Sequence, residues 1–413
     1  MFKNYFKIAI AVLKRRKFFT FVSLFGISFT LTILIVLAAF IDNLIGAGYP
    51  DTARDRELYV NNISLRSTKN PSDINGGPSF YFLDHYVSPL KIPQKLAIAS
   101  GNSHTSSYTN EKKLVIDLKY TNDQFWEVLQ FRFIEGKPYA KQEVDNGEKV
   151  AVISEETRDN YFGKGVSVAG KYIETDNVRY RVIGVVQNVS VMQLFAHADI
   201  YVPYTLSKEN FHNTDISGGY NGIILLRSRA DIPGMKEEYS RMAAKVPLNS
   251  KIFDVLYTSA DTYLEWFARN MIDDHTGSAG LGTFFALTGI FLFLFLLLPT
   301  LNLVNMNISR IIERSSEIGV RKAFGASSRT LVYQFIIENL ILTFIGNAIG
   351  ILFSFIAIQA LNSSDLIDNL HLSINVNVLI FSLLLSLIFG LLSGVYPAWR
   401  MSSMQVVEAL KAQ

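Results

Sequence analysis

The sequence predicts a membrane protein with four transmembrane α-helices and one large mixed α/β extracytoplasmic domain. Three observations carry the prediction. Four runs without a charged residue (18–41, 281–308, 339–364 and 376–399) are each long enough to cross a bilayer, which takes about 20 residues of helix. One long polar stretch, 42–280, separates the first run from the second. Finally, lysine and arginine gather in residues 1–17, in the 309–330 loop and after Trp399, whereas the 365–375 loop has only Asp365 and Asp368. Basic loops stay on the cytoplasmic side, so both termini and the 309–330 loop are expected inside and the long polar stretch outside. Four spans return the chain to the side where it began. A multi-pass membrane protein is expected.

The elements follow in order. Residues 1–17 carry Lys3, Lys7, Lys14, Arg15, Arg16 and Lys17 and no acid. They read as the positive-inside signal or as an amphipathic surface helix with Tyr5, Phe6, Ile10 and Leu13 toward lipid. The first run, 18–41, is too long for the apolar core of a signal peptide and continues into Leu37, Phe40 and Ile41, so it reads as a retained span. The polar stretch has nearly balanced charge, which argues against a nucleic-acid surface. It is large enough to bury a core without disulfides, and the chain has no cysteine.

Within it, 57–65 (ELYVNNISL), 95–100, 222–227 (GIILLR) and 251–257 read as strands, with helices at 80–90 and 232–245. Asp231 is placed as N-cap of the latter and Pro233 in its first turn. Two β-α-β units thus flank a middle segment, 112–206, richer in short strands: 113–119, 149–154, 168–174 and 179–186, with helices at 120–128 and 155–161. The remaining spans are expected at 281–308, 331–364 and 376–399, with 400–413 as a cytoplasmic tail. Pro299 is a candidate kink in the second span. Glu338 stands at the inner edge of the third, where a carboxylate needs a partner such as Arg329 or Lys322. Gly346-x-x-x-Gly350 and Gly390-x-x-x-Gly394 are spacings that let helices approach closely. Otherwise the spans look too apolar to line a path for a polar substrate.

No G-x-x-x-x-G-K-[ST] occurs in the chain, so no phosphate-cradling loop of that kind is encoded. The six histidines (85, 104, 197, 212, 275 and 371) show no H-E-x-x-H spacing. His197-Ala198-Asp199 comes nearest to a ligand pair and reads as an ordinary polar loop. No G-x-S-x-G is present, and the adjacent carboxylates Glu155-Glu156 and Asp273-Asp274 do not share a helix face. No metal or catalytic site is expected. The 309–326 segment, SRIIERSSEIGVRKAFGA, stands apart. Glu317 and Arg321 are four residues apart in the favourable order for a helical ion pair, and Gly319 and Gly325 are placed as breakers at its two ends. It reads as a short amphipathic helix at the cytoplasmic surface that meets a soluble partner, or as a basic loop that only fixes orientation.

Glu317-Ile318-Gly319-Val320-Arg321-Lys322-Ala323-Phe324-Gly325-Ala326 resembles the EIGIRRALGA signature of the MacB/FtsX-type ABC transporter permeases. Gly394-Val395-Tyr396-Pro397-Ala398-Trp399-Arg400 with Glu408-Ala409-Leu410 resembles the same family's C-terminal tail, with Val406 where the family has proline. In the outer domain, Phe133-Ile134-Glu135-Gly136-Lys137-Pro138, Val150-Ala151-Val152-Ile153-Ser154, Tyr180-Arg181-Val182-Ile183-Gly184-Val185 and Ile200-Tyr201-Val202-Pro203 follow the order of MacB-like domains.

The resemblance implies a porter-like split β-α-β part with a strand-rich insertion. It also implies a coupling helix in which Arg314, Glu317, Ile318, Gly319, Val320, Arg321, Lys322, Phe324 and Gly325 meet a separate ABC ATPase. ATP and Mg would bind that ATPase, and no cofactor is expected on this chain. A second permease copy, identical or paralogous, and membrane lipid are the other implied partners, and no nucleic acid is expected. Efflux adds a periplasmic adaptor and an outer-membrane channel. The alternatives are lipoprotein release, FtsX-like control of an outer partner, and an ATP-independent receptor.

Overall fold

The structure, a computed structural model, describes residues 17–69, 73–109, 112–208, 211–248, 252–272, 280–313, 319–321, 323–325, 327–364 and 369–402. The long helices in chain order are α1 (Lys17–Ile45), α2 (Ile232–Ala243), α3 (Tyr263–Ile272), α4 (Leu281–Glu313), α5 (Ser328–Asn362) and α6 (Val376–Ser402). The strands are β1 (Glu57–Val60), β2 (Ile63–Arg66), β3 (Asp73–Pro78), β4 (Lys95–Ser100), β5 (Ser103–Thr109), β6 (Lys112–Thr121), β7 (Phe133–Gly136), β8 (Val150–Ser154), β9 (Tyr172–Thr175), β10 (Val178–Val186), β11 (Ile200–Pro203), β12 (Ser217–Gly218), β13 (Tyr220–Leu225) and β14 (Val255–Thr258). They fall into two units. One comprises Met1–Asp42, Ala286–Leu366 and Leu372–Gln413, the other Asn43–Phe285 with Ile367–His371.

The second unit is built on a ten-stranded sheet, with main order β1-β13-β4-β6-β11-β8-β10-β7, and β5 on β6 and β9 on β10. A four-stranded sheet, β12-β3-β2-β14, stands beside it. Local chemistry explains the joints. Asp176 and Asn177 both take positive φ (53° and 59°), which makes the two-residue turn between β9 and β10. β8 and β10 run parallel, and the helix Glu155–Phe162 leaves β8 under a Ser154 cap whose hydroxyl accepts from Thr157 N at 3.1 Å. Gly136, φ +70°, faces Ile183 O so closely that any Cβ would collide with it.

Three apolar clusters fill this unit. Phe125, Trp126, Tyr139 and Tyr201 centre the first. Leu58, Phe82, Met235 and Tyr239 join β1 to α2 in the second. Ile116, Ile153, Ile173 and Val182 fill the third, between strands of the middle segment. Residues 367–371 also belong here: Asn369 Nδ2 donates to Glu156 Oε2 at 2.9 Å, and Asn43 Nδ2 to His371 O at 3.1 Å.

Several expectations change. The strand expected over 57–65 is two strands in different sheets. Between them Asn61 accepts from Trp266 Nε1 at 3.0 Å and bonds Asn221, so its polar side chain occupies a packing position. The helix expected from 120 begins only at Phe125, because Thr121 still pairs with Ala99. That pairing also carries the sheet through the middle segment, so the segment shares one sheet with its flanks. Asp231 stands at the N-cap position of α2 as expected, but its carboxylate makes no capping bond there and accepts instead from Ser228 N at 3.0 Å in the turn before.

In the helical unit, three helices are long and apolar enough to cross a membrane among the described residues: Lys17–Ile45, Val332–Asn362 and Val376–Ser393. The fourth expected span, 281–308, lies within α4, Leu281–Glu313. α4 is one helix through Pro299. α5 packs along α6.

Candidate functional site

Between α4 and α5 the described residues 319–321 and 323–325 form a helical turn. Residues 319–321 and Ala323 are helical, and Phe324 N donates to Val320 O at 3.0 Å. Gly325 then takes φ +91°, open only to glycine at low cost, and ends the turn. Ser327 starts α5 as N-cap, accepting from Thr330 N at 3.2 Å. Val320 and Phe324, one turn apart, share a face; Val320 is 47% and Phe324 89% exposed. Gly319 is helical and buried, so it is not the breaker its type suggested.

Arg321 points elsewhere. It is half-buried, and its Nη1 donates to Gln334 Oε1 at 3.1 Å. Arg314, Glu317, Ile318 and Lys322 lie outside the described residues, and with them the expected Glu317–Arg321 pair.

Gln334 begins a buried polar track along α5. Its Nε2 donates to Glu338 Oε1 at 3.0 Å. Glu338 therefore meets Gln334, while Arg329, one of its expected partners, is exposed. Further along, Asn339 Nδ2 donates to Gly390 O at 3.0 Å, and Ser386 Oγ donates to Asn347 Oδ1 at 2.7 Å. Thr32 Oγ1 reaches Gly350 O at 3.2 Å from α1. Glycine makes these approaches possible. A Cβ on Gly346 would lie 2.6 Å from Ile27, one on Gly350 3.0 Å from Ser28 O, and one on Gly390 2.6 Å from Thr343. Gly394 lies in α6. The charge-free run hid this track, because asparagine, glutamine and threonine carry no charge.

A second concentration of buried polar groups stands at the start of the other unit. Arg54 Nε pairs with Asp51 Oδ2 at 2.8 Å, and its Nη1 donates to the carbonyls of Gly46, Ile45 and Leu44 at 2.5, 3.2 and 3.3 Å. It thereby satisfies the carbonyls that the last turn of α1 leaves free. The guanidinium stacks 3.8 Å over the Tyr263 ring. Tyr59 Oη donates to Asp51 Oδ2 at 2.7 Å and lies 2.9 Å from Glu57 Oε2. Burial, then the neighbouring Asp51, pushes Glu57 up to about 10, so it holds its proton at neutral pH and adds no charge to the knot.

Two open clefts, about 540 and 500 Å³, adjoin it and share Lys236 and Glu265, which pair with each other. Their charges are largely matched internally; Asp261 and Arg269 also pair, at 2.8 Å. His197 and Asp199 do not converge as a ligand pair. His197 Nδ1 meets Val189 O at 2.9 Å, and Asp199 accepts from Asp117 N at 2.8 Å. Among the described residues no three metal-ligating side chains come together.

Apolar helices long enough to cross a membrane, together with a large sheet domain inserted after the first of them, define a multi-span membrane protein with a large domain outside the bilayer. Residues 289–406 match the FtsX-like permease C-terminal family, and residues 20–241 match the MacB-like periplasmic core domain. The chain belongs to the MacB/FtsX-type family of ABC transporter permeases. Among its relatives is an uncharacterized ABC transporter permease, YknZ, of Bacillus subtilis strain 168, 23% identical over 361 residues covering 86% of this chain and 84% of the relative. Another is the macrolide export ATP-binding/permease protein MacB of Hahella chejuensis, 23% identical over 99% of this chain. The chain spans 60% of that relative's length. The crystal structure of the periplasmic region of MacB from Actinobacillus actinomycetemcomitans aligns over 57% of this chain and 97% of that one, with 15% identity and a TM-score of 0.38.

Proposed function

We propose that this chain is the permease subunit of an ABC transporter whose ATPase is a separate subunit, and that it passes the ATPase's movement to the extracytoplasmic domain for efflux of a substrate. The observation that carries this reading is the exposed Val320–Phe324 face. A phenyl side chain left 89% exposed on a turn fixed by Gly325 and Ser327 is a small apolar knob presented to a partner. The turn falls inside the FtsX-like permease match, residues 289–406, which makes an ATP-hydrolysing subunit the fitting partner. In this reading ATP and Mg bind the partner, two permease copies act together, the turn and both termini are cytoplasmic, and the substrate is handled outside the membrane. An adaptor and an outer-membrane channel would complete an efflux route.

The test is a mild-detergent purification of the tagged full chain from its native membrane, with co-purifying proteins identified by mass spectrometry. An ATPase in near-equal amount is expected with the wild type, and at least tenfold less with Phe324→Asp at equal permease yield. Recovery of no ATPase, with nucleotide trapped, would overturn the reading in favour of an ATP-independent receptor.

A further inference from the structure

We infer that Arg321 is a positioning residue of the coupling turn and not one of its docking residues: through Gln334 it ties the turn to Glu338 inside α5. The inference rests on the proposal that the turn meets an ATPase, and it assigns the inner face of that turn. Val320 and Phe324, four residues apart, face outward. Arg321 is one helical step, about 100°, from Val320 and enters the protein, as does the buried Gly319. Its donor reaches the Gln334 carbonyl at 3.1 Å, and the amide nitrogen of Gln334 reaches the Glu338 carboxylate at 3.0 Å. The amide uses its acceptor toward the cation and its donor toward the anion, so its orientation is fixed by charge at both ends.

Gln334 and Glu338 are four residues apart on α5 and are 6% and 2% exposed. A buried amide and a buried carboxylate are costly to leave unpaired. Displacing the turn without α5 would break the Arg321–Gln334 bond and strip the amide of its cationic partner. The turn and the first two turns of α5 therefore move as one piece, and a push received on Phe324 enters the helix at Gln334. Phe324 is where the partner sits; Arg321, Gln334 and Glu338 are what make its position matter to the bundle.

The experiment separates docking from transmission. Because the chain has no cysteine, a single Lys245→Cys in the exposed turn that follows the outer domain's α2 takes an environment-sensitive dye without background. The labelled full chain, reconstituted with its ATPase, is read twice: by the amount of ATPase retained and by the ATP-dependent change in dye emission. Arg321→Ala and Gln334→Leu are expected to retain ATPase within twofold of wild type and to lose at least nine-tenths of the emission change. Arg321→Lys and the exchange Gln334→Glu with Glu338→Gln, which reverses acid and amide along the same line, are expected to restore at least half of it. A merely structural role would not predict recovery from that exchange.

Three results would overturn the inference. The first is loss of the ATPase from Arg321→Ala as from Phe324→Asp, which makes Arg321 a docking residue. The second is Arg321→Ala keeping both ATPase and emission change. The third is well-folded protein from the exchange with no recovery. A wild-type chain that binds no ATPase would remove the functional reading itself, and the inference with it.

Discussion

Glu57→Gln tests the charge knot near the start of the sheet unit. Glu57 is fully buried, and its carboxyl is raised from 4.5 to about 10, by burial first and by Asp51 second. Below pH 4.5 both the folded and the unfolded chain hold the proton, and Glu57 does not bias folding. Above it the unfolded chain releases the proton and the folded chain keeps it until about 10, so the native state loses stability as pH rises through that window. At pH 7 the interval from the unfolded value is about 2.5 units, a cost of at most about 3 kcal/mol at about 1.4 kcal/mol per unit. Glutamine keeps the shape and a donor but does not titrate. The variant should therefore match wild type near pH 4.5 and gain steadily toward pH 8. For a unit of this size about 3 kcal/mol corresponds to roughly 6–12 °C in Tm. The assay is thermal unfolding of the full chain in detergent, followed by intrinsic fluorescence across pH 4.5–8. A stability difference that does not change with pH, or a variant less stable than wild type at pH 8, would refute the assignment of a protonated Glu57.

Two further predictions follow from the same geometry. Arg54→Met leaves Asp51 buried without its cation and the Leu44, Ile45 and Gly46 carbonyls without their donor. Removing one partner of a buried pair costs about 3–5 kcal/mol, so the variant should unfold well below wild type and lose protection of residues 43–60 in hydrogen exchange; an unchanged exchange pattern there would sink the capping role. Gly390→Leu puts a side chain where even a Cβ lies 2.6 Å from Thr343 Oγ1. Overpacking of about 1–3 kcal/mol or more should appear as early loss of the monodisperse peak on heating in detergent, whereas Gly282→Leu, a position with no atom within 4 Å of a Cβ, should leave that peak unchanged.

What the sequence makes legible follows from the solvent each part meets. The bilayer excludes charge, so charge-free runs mark α1, α4 and α6 to within about five residues, whereas α5 begins eleven residues before its run, with Arg329 and Glu338 in that extension. The same counting is blind to neutral polar groups, which is why Asn339, Asn347 and Gln334 passed as apolar filling. Outside the membrane, β-branched runs such as Val150–Ser154 and Val178–Val186 announce their strands. β5, reading SHTSSYT, does not, because its pairing with β6 across a tight hairpin holds it extended without an apolar face. α3 went unplaced although Tyr263 and Trp266 pack against Phe195 in the core. At the site, the 317–326 motif gives the location of the turn, but not which of its faces looks outward. Arg321 finds its partner thirteen residues on, across the Gly325 turn and onto the next helix, and no local pattern encodes that.

The buried polar track bears on where a substrate would travel. A helix bundle that conducts polar cargo needs polar groups whose hydrogen bonds remain available to it. Along α5 those bonds are used between helices: Asn339 on Gly390, Asn347 with Ser386, and Thr32 on Gly350. The cavity that α1, α4 and α6 share holds only about 30 Å³, room for one water; beside Ile27, Leu34, Leu296 and Phe389 it is lined by Thr30, Thr300 and Ser386, whose hydroxyls donate to Gly26 O, Leu296 O and Asn347 Oδ1. Polar residues spent in this way fix the helices against one another, as the glycine contacts beside them do. A bundle so bound is better suited to shift as a body than to open a path through itself. That supports placing the substrate in the outer domain and giving the helices the task of transmission.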